Sequence, residues 1–166
     1  MVLKNLNKSL FINISFTLII FLLDRISKIY VINLDKKFFG SEIFSSKYLN
    51  IILVWNEGIA FGLFSSSNEY WYNFLTIVIV LIAIVILIMS IRENGAQRYF
   101  FLIVFGGALG NLYDRIFFKA VPDFLDLHVG NFHWFIFNIA DIFITFGVIM
   151  LILWEALPLN KNYEKK

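Results

Sequence analysis

The sequence contains no cysteine and few charged residues. The lack of cysteine excludes disulfide bonds, thiolate metal sites and a cysteine nucleophile. Charged residues make up 16% of the chain and hydrophobic residues 60%, and the mean hydropathy of +0.78 is far above that of a soluble domain. Because such a chain needs lipid as its solvent, we predict an integral membrane protein.

Several other functional signals are also missing. The net charge of +2 is too small to indicate nucleic-acid binding. The patterns Gly-x-Ser-x-Gly and His-Glu-x-x-His are absent, so the sequence does not support serine or zinc hydrolysis of those types. No cofactor motif is found. Since four spans of roughly 20 residues use half of the chain, we predict a single domain over residues 1–166.

Four apolar runs have the length that a transmembrane helix needs. They predict an all-α membrane protein with spans at about residues 10–34, 74–91, 99–118 and 134–154. A cleaved signal peptide is the alternative for the first run. That alternative is disfavoured because no small-residue cleavage site follows, and because Asp24, Arg25 and Lys28 lie near its outer end.

Basic residues near the span ends predict the topology. They precede the first run, lie in the turn between the second and third, and follow the fourth: Lys4, Lys8, Arg92, Arg98, Lys161, Lys165 and Lys166. By the positive-inside rule both termini face the cytoplasm, and the connections 35–73 and 119–133 face outward. The β-branched and aromatic residues 48–54 predict a small extracytoplasmic β element. Apolar residues 59–64 are expected on the membrane surface.

Polar residues inside the spans predict a site. An ionisable group in the hydrocarbon costs roughly 2.5–3.5 kcal/mol on insertion scales, so it needs a partner, a cavity or a function. Asp24 and Lys28 are four residues apart and can pair. Asn138 and Asp141 are expected to share a helix face, with Asn138 donating to the carboxylate. With the topology above, one polar cluster forms near the outer surface from Asp24, Asn111, Asp114, Arg115, Asn138, Asp141 and the loop residue Asp123.

The acidic residues of this cluster suit catalysis by a pair of carboxylates. Two aspartates held close share one proton, so one activates water while the other protonates a carbonyl oxygen. Asp141 is one candidate, and binding of a neighbouring helix is an equal alternative for it. Asp123 follows Pro122 as in an ordinary turn, and Asp126 is an equally acidic neighbour. His128, His133 and Asp126 lack recurring metal-ligand spacing, so no metal is predicted.

Five ordered blocks resemble the bacterial lipoprotein signal peptidases, also called type II signal peptidases. The blocks are Asp24-Arg25-Ile26-Ser27-Lys28, Asn56-Glu57-Gly58-Ile59-Ala60-Phe61, Gly107-Ala108-Leu109-Gly110-Asn111-Leu112-Tyr113-Asp114-Arg115, Val121-Pro122-Asp123-Phe124 and Phe137-Asn138-Ile139-Ala140-Asp141. The resemblance implies a four-helix membrane bundle with a small extracytoplasmic β element. It also implies an aspartic endopeptidase that removes signal peptides from prolipoproteins just before a diacylglyceryl-modified cysteine.

The resemblance assigns roles to individual residues. It implies that Asp123 and Asp141 are the catalytic pair, and that Asp24 and Lys28 give structural support. Asp114 is expected to be a brace paired with Arg115. Residues implied to line or brace the site are Asn56, Gly58, Asn111, Arg115, Asn138 and Ala140. The implied setting is the bacterial inner membrane, with a monomer that meets membrane lipids and a lipid-modified prolipoprotein.

The sequence departs from the family's usual pattern at Arg25, Pro122 and Phe135. None of these departures removes a catalytic group, although Pro122 favours extended geometry at Val121. A second function of another class stays open: a non-enzymatic transport or assembly subunit whose intramembrane charges conduct ions or hold a partner.

Overall fold

The computed structural model describes residues 2–58 and 69–157, with side chains from residue 9 onward. Its elements in chain order are α1 (Val2–Phe38), β1 (Phe44–Ser45), β2 (Leu49–Asn56), α2 (Glu69–Arg92), α3 (Gly95–Phe118), β3 (Val121–Val129), β4 (Phe132–Phe137) and α4 (Ile139–Ala156). The predicted surface segment 59–64 lies outside the described residues.

The four predicted spans are confirmed as helices that are long and apolar enough to cross a membrane. Helix α3 differs from the others. An 18-residue stretch of it has a mean hydropathy of 1.3, the lowest of the four spans, and 56% of that stretch is buried, against 11–22% in the other three. It contacts all three other helices. The charged residues Asp114 and Arg115 of α3 are accordingly buried in protein, as intramembrane charges require.

The predicted start of the fourth span is wrong. Residues 132–137 form strand β4 instead, and α4 begins only at Ile139. Hydropathy shows no break there because residues 134–137 are all apolar, like the helix that follows. Asn138 separates the two, because it has an extended backbone and its side chain caps α4.

The sheet is larger than predicted. It has four antiparallel strands in the order β1-β2-β3-β4, so it draws strands from both connections that were predicted to face outward. The prediction of a strand at 48–54 corresponds to β2, but residues 119–133 are not a plain connection, since they hold β3 and the start of β4. The placement of Asp123 in a surface loop is also wrong. It lies on β3 opposite Val54 and is 4% exposed.

Glycines bring α3 and α4 close together, as small residues do at helix contacts in membrane proteins. A Cβ atom at Gly107 would lie 2.6 Å from the carbonyl oxygen of Ala140, and one at Gly147 would lie 2.6 Å from Val104 Cγ2. Neither position has room for a methyl group. This contact fixes the first turn of α4, which carries Asp141, against α3.

We expect Gly107→Ala to lower the free energy of unfolding by about 1–3 kcal/mol, because overpacking a tight contact costs about that much. The methyl group would meet backbone at Ala140, which cannot turn aside as a side chain can. Unfolding of the purified variant in detergent measures the effect. An unchanged free energy of unfolding would show that α3 and α4 are not packed this tightly.

Candidate active site

Four charged side chains form a buried cluster between α1 and α3. Lys28 Nζ lies 2.9 Å from Asp24 Oδ2 and 2.8 Å from Asp114 Oδ2, and Arg25 Nη1 lies 2.6 Å from Asp114 Oδ1. The pairing of Asp24 with Lys28 agrees with their i, i+4 spacing. The expected pairing of Asp114 with Arg115 is wrong, because Asp114 binds Arg25 and Lys28 across the helix interface. Two carboxylates and two cations leave the cluster formally neutral.

Asn111 links this charged cluster to Asp141. Its Oδ1 accepts a hydrogen bond from Lys28 Nζ at 2.9 Å, and its Nδ2 donates to Asp141 Oδ1 at 2.8 Å. An ammonium group is only a donor, so it fixes which end of the amide faces each neighbour. The buried charge of Lys28 thereby orients the donor that holds the carboxylate of Asp141.

Asp141 lies in the first turn of α4, where a capping box holds it. The backbone N–H of Asn138 donates to Asp141 Oδ2 at 3.1 Å, and Asn138 Oδ1 accepts from the backbone N–H of Asp141 at 3.1 Å. The predicted shared helix face is therefore wrong, since Asn138 precedes the helix. Next to it, the backbone N–H of Ala140 donates to Asp24 Oδ1 at 3.0 Å, so α1 also braces this turn.

Asp123 is held by two amide donors. Its Oδ1 accepts from Asn138 Nδ2 at 2.6 Å and its Oδ2 from Asn56 Nδ2 at 2.9 Å. Burial raises the pKa of Asp123 to about 6, with a further contribution from the negative charge of Asp141, although the two amide donors oppose the shift. Asp123 can therefore keep a proton at a pH where an exposed aspartate cannot.

Asn138 connects the two carboxylates. Its side chain donates to Asp123, and its backbone donates to Asp141. Asp123 on β3 and Asp141 on α4 thus both bind Asn138, where β4 ends and α4 begins. One carboxyl group with a raised pKa beside a second carboxylate is the arrangement that general acid and base chemistry requires.

Arg115 and Gly58 brace the edge of the site. The Arg115 guanidinium donates to the carbonyl oxygen of Gly58, and the backbone N–H of Gly58 donates to Asn56 Oδ1 at 2.9 Å. Since Asn56 in turn binds Asp123, the predicted residues form one connected network. Tyr72 was missed, yet its hydroxyl donates to the Arg115 carbonyl at 3.2 Å and its ring lies under the guanidinium. In the sequence nothing distinguishes it from an interfacial aromatic residue.

The neighbouring acid Asp126 lies outside this network. Its carboxylate accepts from Asn50 Nδ2 at 3.4 Å and lies 2.8 Å from His133 Nδ1. Of the two acids on β3, the geometry brings only Asp123 to Asn138. The matched sequence block had indicated the same choice.

The chain is similar to known membrane proteins over most of its length. Residues 16–157 match the family described as signal peptidase (SPase) II. A lipoprotein signal peptidase of Pelagibacter ubique is 48% identical over 159 residues, which cover 96% of each chain. One from Anaplasma phagocytophilum is 43% identical over 82% of this chain and 86% of its own.

Solved structures are similar as well. A bacterial membrane enzyme determined by the in meso method at 1.9 Å resolution is 30% identical with a TM-score of 0.72, covering 88% of this chain and 93% of its own. Another, at 2.3 Å, is 28% identical with a TM-score of 0.67, covering 93% of this chain and 91% of its own. The likeness in both sequence and fold extends across the helices and the sheet.

Proposed function

The chain belongs to the signal peptidase II family, and from this membership we propose that it is an aspartic endopeptidase acting on lipid-modified prolipoproteins. In this proposal Asp123 and Asp141 are the catalytic residues, and the bond cut lies just before the diacylglyceryl-modified cysteine. No cofactor takes part. The observation that carries the proposal is the donation by Asn138 to both carboxylates.

The two carboxyl groups take complementary parts in hydrolysis. Asp141 accepts a proton from water as the water oxygen attacks the scissile carbonyl carbon, while Asp123 gives its proton to the carbonyl oxygen. When the tetrahedral intermediate collapses, the C–N bond breaks, Asp141 protonates the leaving nitrogen and Asp123 regains a proton from the diol. The raised pKa of Asp123 supports its part as the initial proton holder.

The other named residues position these groups. Asn138, Asn111 and Asn56 hold the carboxylates by amide donation, and the cluster of Asp24, Lys28 and Asp114 orients Asn111. Gly58 and Arg115 fix the chain that carries Asn56. Ala140 anchors the first turn of α4 through its backbone. These contacts supply the preorganisation that general acid and base catalysis needs.

The family and the four membrane spans indicate the cellular location of the protein. The protein is a multi-spanning bacterial inner-membrane protein. We further propose that both termini are cytoplasmic, that the sheet and the carboxylates lie near the outer face, and that the protein acts as a monomer. The substrate then enters laterally from the bilayer, because its lipid anchor and its apolar signal segment already lie there.

Cleavage is expected to depend on pH through Asp123. Because the proposed mechanism needs a proton on this group, kcat/KM should fall as the pH rises above about 6. Asn56 donates to the carboxylate and so lowers its pKa. Asn56→Leu should therefore raise that pKa and move the fall in kcat/KM to higher pH. An unchanged pH profile would show that the hydrogen bond from Asn56 does not influence the pKa that controls cleavage.

The proposal and its alternative predict different measurements. The purified protein in vesicles should shorten a synthetic diacylglyceryl-modified prolipoprotein peptide, with a new amino terminus at the modified cysteine. The same peptide without lipid is the control for lipid dependence. A transport subunit would instead give ion or solute flux into the vesicles with the peptide unchanged, and that result would replace the peptidase assignment.

A further inference from the structure

An apolar groove runs along the membrane-spanning part of the bundle, away from the carboxylates. It has a volume of about 650 Å³ and lies between α1, α3 and the C-terminal end of α2. Its walls are almost entirely hydrocarbon, with residues such as Ile14, Leu18, Leu87, Leu102 and Leu109. On α3 the lining residues Leu102, Phe105, Leu109, Leu112 and Ile116 repeat at helical spacing and form one face.

That face of α3 points away from the candidate active site. Gly107 and Asn111, which meet α4, are two residues from Leu109 in either direction and so lie on the opposite side of the helix. The groove is therefore not part of the space around Asp123 and Asp141. The proposed hydrolysis does not use the groove.

Arg98 stands at the end of the groove that is remote from the sheet. It lies one helical turn before Leu102 on the lined face of α3. Its guanidinium donates to Ser9 Oγ at 3.3 Å, Asn94 Oδ1 at 3.0 Å and the Glu93 carbonyl at 2.9 Å. All three acceptors are neutral, and none of the ion pairs among the described residues includes Arg98.

Asn13 follows one turn deeper in the groove. It lies four residues after Ser9 on α1 and lines the cavity. Within residues 9–58 and 69–157 its amide has no hydrogen-bond partner, although a polar group in a bilayer needs one. Beyond Asn13 the lining is mainly hydrocarbon, with hydroxyl groups at Thr17 and Tyr113. The order along the groove is thus a cation, then an amide, then mainly apolar side chains.

We propose that this groove binds an anionic phospholipid of the leaflet on the Arg98 side, which is the cytoplasmic leaflet in the proposed topology. The phosphate binds Arg98, an ester carbonyl accepts from the Asn13 amide, and one acyl chain lies against Ile14 and Leu109. These three chemical groups follow one another in a phospholipid in the same order as their partners along the groove. A guanidinium suits a phosphate because its donors are planar and paired.

The positive charge of Arg98 also disfavours a signal peptide as the ligand of this groove. A signal peptide carries a basic amino-terminal region next to its hydrophobic segment. With its hydrophobic segment in this groove, that basic region would meet Arg98 at the same membrane surface and be repelled. An anionic lipid headgroup gains from the same charge, by about 1 kcal/mol per basic residue near the surface, which is about fivefold in binding.

Photo-crosslinking tests the proposal. The full-length protein is reconstituted into vesicles that contain phosphatidylglycerol with a diazirine in its acyl chain, or the matching phosphatidylcholine as a neutral-headgroup control. Mass spectrometry then locates the adducts. We expect adducts on the lining segments of α1 and α3, about fivefold more with phosphatidylglycerol. Arg98→Gln should remove this preference, and Asn13→Leu should reduce adduct formation at the same segments.

Arg92→Gln is the matched control, because Arg92 is an exposed arginine at the same end of the bundle and does not line the groove. It should leave the headgroup preference within about twofold of wild type. Leu109→Trp fills the groove and should reduce adducts from both lipids. Equal labelling by the two lipids, equal effects of Arg92→Gln and Arg98→Gln, or displacement of the lipid by the prolipoprotein peptide would each overturn the proposal.

Discussion

Replacing either Asp123 or Asp141 with asparagine is expected to reduce cleavage of the lipid-modified peptide by about 10²–10⁴-fold, the usual contribution of a positioned acid or base. Asparagine has nearly the same shape as aspartate, so the packing of β3 and α4 is kept. It can neither accept a proton from water nor give one to a carbonyl oxygen. The rate constant for cleavage under single-turnover conditions measures the chemical step directly.

Asp126→Asn is the matched control for this pair. It is the same substitution on the same strand, three residues from Asp123, and Asp126 binds Asn50 and His133 instead of Asn138. Its cleavage rate should stay within about twofold of wild type. Unfolding curves in detergent separate a lost catalyst from a misfolded protein. A well-folded Asp141→Asn protein that cleaves at the wild-type rate would end the aspartic assignment.

The four spans follow from the sequence because hydropathy in a bilayer depends on local composition. An 18-residue stretch of helix α2 has a mean hydropathy of 3.4, and the helix carries no charge between its terminal residues, so its identity as a span needs no tertiary information. The start of α4 depends instead on pairing. Residues 132–137 become a strand because β3 lies beside them, with Leu125 opposite Phe137. No window of hydropathy records such a partner.

The site residues also divide into features that the sequence indicates and features that depend on tertiary packing. The choice of Asp123 over Asp126 rested on a matched block, and the burial that raises the pKa of Asp123 comes from the sheet that encloses it. The predicted partner of Asp114 was wrong because the spacing of residues along one helix does not show which residues of a neighbouring helix they contact. Arg25 had been noted only as a departure from the family pattern. Its place beside Asp114 required the packing of α1 on α3.

Lys28→Met is expected to lower the free energy of unfolding by about 3–5 kcal/mol, the cost of removing one partner from a buried ion pair. Lys28 and its two carboxylate partners have fully buried side chains, so water cannot replace the lost charge. The variant leaves Asp24 and Asp114 with Arg25 alone. Lys36→Met is the control, since Lys36 is exposed on the same helix, and surface substitutions usually change stability by no more than about 0.5 kcal/mol.

A second substitution separates lost charge from lost packing. In Lys28→Met with Asp114→Asn, one carboxylate and one guanidinium remain, so the cluster is again formally neutral. If charge causes the instability, the double variant should be more stable than Lys28→Met alone, although each change removes native contacts. If packing causes it, the two costs should add. Cleavage should stay impaired in both, because Asn111 has lost the ammonium group that orients its amide toward Asp141. Stability regained without activity would thus distinguish the structural contribution of Lys28 from its positioning of the carboxylate.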